Sequence, residues 1–171
     1  MGQNFITVGL VGFNELADRL EKYAPEVRVA LQRKVTEFAL LLEAYVKTNK
    51  LSGQVLNKIT GSLSASIQHR VEAVGSAIWG FVFSAGDVKY AAIHEYGGVI
   101  PAHDIYPTKA QALAFAMGGD TIFAKHVHIP EVHMPERSYL RSSLQEWAQR
   151  IETGLKQTAI DTLQNMIDGT V

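Results

Sequence analysis

Near the start of the chain apolar and polar positions alternate. Ile6, Val8 and Leu10 fall on one side and Thr7 and Gly9 on the other, which predicts a strand over 5–11. Gly12 ends it, and Asn14 is the expected N-cap of a short amphipathic helix over 14–23, with Leu16 and Leu20 one turn apart. Ala24-Pro25 closes that helix, and Pro25 suits the first turn of the next. From 26 to 50 the apolar positions Val27, Leu31, Val35, Phe38, Leu42 and Tyr45 recur at helical spacing, which predicts one long helix with a core-facing stripe.

The segment Leu51 to Thr60 loses periodicity and holds Gly53 and Asn57, so a mobile loop is expected over 51–60. Thr60 and Gly61 then turn the chain into one helical turn or a strand that docks through Leu63 and Ile67. Strict alternation over 67–74, Gly75-Ser76, and an apolar run from Ile78 to Ser84 predict a hairpin. The second strand is apolar on both faces and should be central. Tyr90-Ala91-Ala92-Ile93-His94-Glu95-Tyr96-Gly97 reads as a short helix over 88–96, capped by Asp87 and stopped by Gly97. Its apolar face is expected to be Tyr90, Ile93 and Tyr96. So short a helix must be held by larger neighbours.

A second hairpin is expected from strands at 112–117 and 121–129 around Gly118-Gly119. Pro135 and Glu136 are suited to the first turn of a final helix over 136–168. Leu140, Leu144, Trp147, Ile151, Leu155 and Met166 mark its stripe, and Gly154 is a point where it could bend. The sum is a single α+β domain over 1–171. Two hairpins and an N-terminal strand make a mostly antiparallel sheet, packed by two long helices, with short helices at 14–23 and 88–96.

Composition narrows the function classes. A length of 171 residues is enough for a core, and 47% hydrophobic with 19% charged residues is globular. A formal net charge of −1 argues against a dedicated nucleic-acid binder. The chain has no cysteine, which removes disulfides, thiol chemistry and Cys-based zinc sites and suits a reducing cytoplasm. No apolar run approaches a membrane span. Gly-x-Ser-x-Gly and Gly-x-x-x-x-Gly-Lys are absent.

Three boxes, in order, carry a resemblance. Thr60-Gly61-Ser62-Leu63-Ser64-Ala65-Ser66-Ile67 resembles a Thr-Gly-x-Leu-x-x-Ser-Ile box. Tyr90-Ala91-Ala92-Ile93-His94-Glu95-Tyr96-Gly97 resembles a Tyr-Ala-x-x-x-Glu-aromatic-Gly box. Met134-Pro135-Glu136-Arg137-Ser138-Tyr139-Leu140-Arg141 is similar to an Arg-Pro-Phe-Leu-Arg region, with Met134 in place of the first Arg. Together they resemble a family of tailed-bacteriophage morphogenesis proteins, described as neck, head–tail joining, tail-completion or minor tail proteins. The family's basic, proline-rich run before the first box is replaced here by Leu51-Ser52-Gly53-Gln54-Val55.

The resemblance implies a structural virion component, assembled in the host bacterial cytoplasm. It implies a self-associated ring, sixfold by family likeness, that completes the tail or joins it to the DNA-filled head. The implied partners are the connector, the tail terminator or the tail tube. No cofactor, membrane or sequence-specific nucleic acid is implied.

Two sets of residues follow as candidates. The first is a structural junction of Tyr90, Glu95, Tyr96, Gly97, Pro135, Arg137, Tyr139 and Arg141, in which Glu95 pairs with Arg137 or Arg141. The second is a loop and interface set of Leu51, Gly53, Thr60, Gly61, Leu63 and Ile67, joined in ring contacts by the hairpin edges at 113–117 and 121–129. A competing reading is a metal-dependent hydrolase. His126, His128 and His133, with Glu131 between and His94 and His103 approaching, could supply three imidazoles and a carboxylate to Zn²⁺. No His-Glu-x-x-His helix supports it.

Overall fold

The computed structural model describes residues 6–9, 25–53, 55–56, 60–86, 88, 90–108 and 110–168. The expected helix over 14–23 and the cap at Asp87 lie outside them. Strand β1 (Ile6–Gly9) pairs antiparallel with β3 (Ala77–Ser84), which pairs antiparallel with β2 (Ile67–Val74). The order β1-β3-β2 puts β3 in the centre, as its two apolar faces require. The β2–β3 turn uses Gly75 at φ +58°, a conformation glycine adopts without a Cβ clash.

Helix α1 (Pro25–Tyr45) lies on β2 and β3, the short helix α2 (Ser62–Ser66) leads directly into β2, and α4 (Arg141–Ile167) lies beside α1. The expected stripe is buried at Val27, Leu31, Val35, Phe38 and Leu42, with Ala39 added, while its last member, Tyr45, is only partly buried and donates its hydroxyl to Glu146 of α4. It meets Ile151, Leu155 and Ala159 of α4 in one cluster. A second cluster joins Leu42, Val46, Leu51, Leu56, Ile67, Val82, Ala91, Tyr139 and Leu140. Leu144 and Trp147 pack against both. Each such fully buried aliphatic side chain contributes roughly 1.5–3 kcal/mol.

The long helix expected over 26–50 ends as α-helix at Tyr45 and continues as a π-helical turn, Val46–Lys50. The wider turn, with the Leu51 N–H donating to the Val46 carbonyl at 3.1 Å, brings both Val46 and Leu51 into the core. It also lets Lys50 reach Glu146 of α4 at 2.6 Å. Gly154 lies within α4, which runs helical through it. It is where Phe38 crosses, and a Cβ there would stand 2.5 Å from Phe38 Cζ.

The class is α+β, but the two hairpins do not share a sheet. β4 (Gly98–Ile100) pairs with β9 (Val132–Met134), β5 (His103–Ile105) with β8 (Val127–Ile129), and β6 (Leu113–Met117) with β7 (Asp120–Ala124). The expected strand over 121–129 is thus two strands with different partners. Each outgoing strand pairs with a returning one, so 98–134 is one long two-stranded arm. The first two ladders share a register: Gly98 opposite Met134, His103 opposite Ile129. Between them Pro101 stands on one strand and Pro130 on the other. Proline has no N–H to give, so the ladder breaks there and resumes in step.

Candidate assembly interface

The arm leaves the body from a single junction. Helix α3 (Ala91–Tyr96) ends at Gly97, β4 starts at Gly98, β9 ends at Met134, and α4 begins at Arg141. The side chain that ties them is Glu95, wholly buried at 0% exposure. Its Oε2 accepts from the backbone N–H of Tyr139 at 2.8 Å and of Leu140 at 2.9 Å. Its Oε1 accepts from the Arg141 N–H at 2.9 Å, Arg141 Nε at 3.2 Å and the Ser138 hydroxyl at 3.0 Å. The first N–H groups of a helix have no partner within it. Glu95 supplies one from another element, and its negative charge faces the positive end of α4.

This differs from the sequence expectation in two ways, in the start of the final helix and in the buried face of α3, and it selects one of the two expected charged partners. The final helix starts at Arg141, so Pro135 and Glu136 lie before its first turn, in an extended exposed link. The buried face of α3 is Ala91 and Glu95, while Tyr90 and Tyr96 stand exposed. The charged partner of Glu95 is Arg141, whose Nη2 also reaches Glu136 at 2.7 Å and whose guanidinium lies 4.8 Å over the Tyr96 ring. Arg137 contributes its backbone N–H to the His94 carbonyl at 2.9 Å.

The rest of the junction is close-packed. Tyr139 is fully buried and donates to the Ala91 carbonyl at 3.3 Å. Burial, with Glu95 nearby, pushes its hydroxyl well above the usual phenol range. Gly97 sits at φ +69°, and a Cβ on it would meet the Glu136 nitrogen at 2.8 Å and the Met134 carbonyl at 3.0 Å. Only glycine lets the two feet of the arm come this close. His94 Nδ1 is buried with no hydrogen-bond partner among the described residues. Burial and the like charge of Arg137 push the imidazole below its ordinary value.

The loop set divides. Leu51 and Ile67 are enclosed in the core and Leu63 packs against it, so these three are not a contact surface. The Gly53 N–H donates to the Leu56 carbonyl at 3.0 Å, and Leu56 is also buried, which anchors the described part of 51–60. Residues 54 and 57–59 lie outside the described residues. Thr60 and Gly61 remain at the surface. With Lys47, Ser62, Ser64 and Ala65 they line an open depression of about 430 Å³.

The histidines do not converge. Along the arm side chains alternate between the two faces, and the shared register preserves that alternation across the prolines. His126 and His128 therefore share a face, with Tyr106 stacked on His126 and Asp104 bonded to His128 at 2.9 Å. His133, an odd number of residues further on, falls on the other face and meets Glu131 at 3.0 Å. His103 Nδ1 sits 2.9 Å from its neighbour, the Pro101 carbonyl. Among the described residues no three His, Asp or Glu side chains are grouped to hold a metal ion.

The arm itself is the feature that periodicity did not single out. Seven of the thirteen exposed large apolar side chains among the described residues belong to it: Val99, Ile105, Tyr106, Phe115, Ile122, Phe123 and Val132. At its tip Leu113, Phe115, Ile122 and Ala124 fall on one face, and Ala114 and Phe123 on the other. Both faces are apolar, and Phe123 is 70% exposed. The signal was present in the sequence: from Ala110 to Ala124 the only charged residue is Asp120. So exposed and apolar a surface has the character of those that contact other molecules.

Comparison with known proteins agrees with a role in assembly. No curated protein and no solved structure shows significant similarity to the chain. Among the described residues no helix is long and apolar enough to cross a membrane. Residues 13–168 match the model of the phage virion morphogenesis family, and the chain belongs to that family of structural assembly proteins.

Proposed function

We propose that this virion morphogenesis protein forms a ring in the neck or at the tail end. There it completes the tail or joins it to the DNA-filled head. The observation that carries this reading is the arm: a two-stranded ribbon, apolar on both faces at its tip, held at a fixed root and, among the described residues, paired only within itself. Two-stranded ribbons are marginal in water by themselves, so this one gains its stability from what it touches. Its partners are other copies of the chain, in a ring of six, and the adjoining connector, tail terminator or tail tube. The surface around Thr60 and Gly61 is a second contact.

The test is removal of this reading frame from the phage, followed by electron microscopy of the lysate. Heads should fill with DNA and tail tubes should polymerise, because those steps belong to other proteins. Separate filled heads and tails, or tails of uncontrolled length, are the expected result. Normal joined and infectious particles would overturn the reading.

A further inference from the structure

The arm has a matching acceptor on the same chain. Strand β2 pairs only with β3 among the described residues, so its outer edge carries unpaired backbone groups along eight residues. No proline or lysine blunts that edge. Helix α1 packs on the β2–β3 face of the sheet. Glu43 of α1 bonds His69 of β2, which fixes the flank of the helix that faces this strand. Val29, Thr36, Leu40, Glu43 and Lys47 are spaced 7, 4, 3 and 4 apart and share that flank. On it Val29 is 48% and Leu40 53% exposed. Among the described residues no neighbour covers them. A free strand edge beneath exposed aliphatic side chains is an unfilled strand position.

We propose that the tip hairpin, β6–β7, of a second copy adds to the outer edge of β2, beneath Val29 and Leu40. This rests on the ring reading above and specifies its contact. The hairpin offers what the slot lacks. Each of its strands has one free backbone edge, and both faces are apolar, so one face covers Val29 and Leu40 whichever strand adds. Charge agrees. The arm over 98–134 carries three acids and two bases, whereas 25–50 carries five bases and three acids.

Donor and acceptor are different surfaces of one chain, so the contact is head-to-tail and propagates to a ring when its rotation closes. Area explains why the free chain need not be a ring. A five-residue hairpin offers only ~170 Å² per face at ~3.4 Å per residue, against ~800 Å² per partner for a stable complex. One such contact is weak, and closure gives every copy two.

The cysteine-free chain makes the test direct. Single cysteines are placed on the tip (Ala114→Cys, Thr121→Cys) and on β2 (Gln68→Cys, Ala73→Cys), all at exposed positions. Concentrated tip and β2 variants are mixed and oxidised, and double variants are oxidised within purified phage particles. A tip–β2 disulfide dimer in the mixture, or a ladder of linked copies in the particles, is expected. Neither should form with the tip or β2 cysteine alone. Absence of the tip–β2 product from both preparations overturns the proposal. If the particles then still require the gene for joining, the assembly reading stands while this contact falls. As a second measurement, Leu40→Asp and Phe123→Asp should each abolish linking without moving the melting temperature. Undiminished linking in both would likewise overturn it.

Discussion

Replacing Glu95 by Gln tests whether this carboxylate is chiefly a helix cap or chiefly an ion-pair partner. Five donors converge on its two oxygens. A glutamine keeps one acceptor oxygen and puts an amide donor in place of the other. The least costly orientation leaves oxygen facing the buried N–H groups of Tyr139 and Leu140. The amide then faces the Arg141 N–H, Arg141 Nε and Ser138, whose hydroxyl can rotate to accept. Two donors lose their partner and the remaining bonds lose their charge. An unsatisfied buried donor costs about 1–3 kcal/mol, but water reaches the half-exposed Arg141, so the total should be about 2–4 kcal/mol. For a chain of this size that lowers the melting temperature by very roughly 5–15 °C. Urea denaturation gives the same quantity as a lower midpoint with unchanged slope. Arg141→Ala should cost only a fraction as much, because Arg141 is 42% exposed and Glu95 keeps four donors without its side chain. If Arg141→Ala costs as much as Glu95→Gln, the ion pair and not the cap holds the junction, and the reasoning is wrong. An unchanged midpoint for Glu95→Gln would refute it outright.

Three other outcomes are expected. Gly97→Ala should cost at least ~2 kcal/mol in the same denaturation assay, since it adds a Cβ at positive φ against the Glu136 backbone. Gly154→Ala would normally gain ~1 kcal/mol in a helix, but the clash with Phe38 should make it net destabilising, and Phe38→Leu should restore part of the gain in a double-mutant cycle. His94 binds a proton less readily folded than unfolded, so its contribution is fully present above pH 6.5 and is lost as pH falls below it. His94→Leu should therefore flatten the fall in melting temperature just below pH 6.5, and a slope identical to the unsubstituted protein would contradict the burial argument.

Periodicity found the body of the protein because the body is organised by two facing layers. The stripe Val27–Leu31–Val35–Phe38–Leu42 had only to be counted at 3.6 residues per turn, and β3 had only to be apolar on both faces to be central. The junction was legible in composition but not in geometry. Glu95 stood out as an acid among apolar residues, yet a charge there suggested another side chain as its partner. Its main partners are backbone N–H groups, which every residue carries and no sequence pattern marks. The same blindness misplaced the buried face of α3. Two tyrosines at helical spacing look like a core stripe, but the carboxylate had to turn inward to meet α4, and the rings were carried outward.

The arm shows a different limit. Alternation in a strand reports a buried face only when the partner is in the same chain. Leu113 to Ala124 has no polar face to set against its apolar one, so its pattern names no solvent side for the expected hairpin. Among the described residues it pairs only within itself. Its composition is that of an interior, and its place is the surface. For a member of an assembly family the economical resolution is that the interior exists only in the assembled state. The sequence of such a segment is then constrained by a neighbour's fold as much as by its own. The root supports this division. Glu95, Gly97 and Tyr139 are bonded or closely packed at the base of the arm, while the tip leaves Phe115, Ile122 and Phe123 in water. Stability is concentrated where the arm is held, and exposed apolar surface where it can bind.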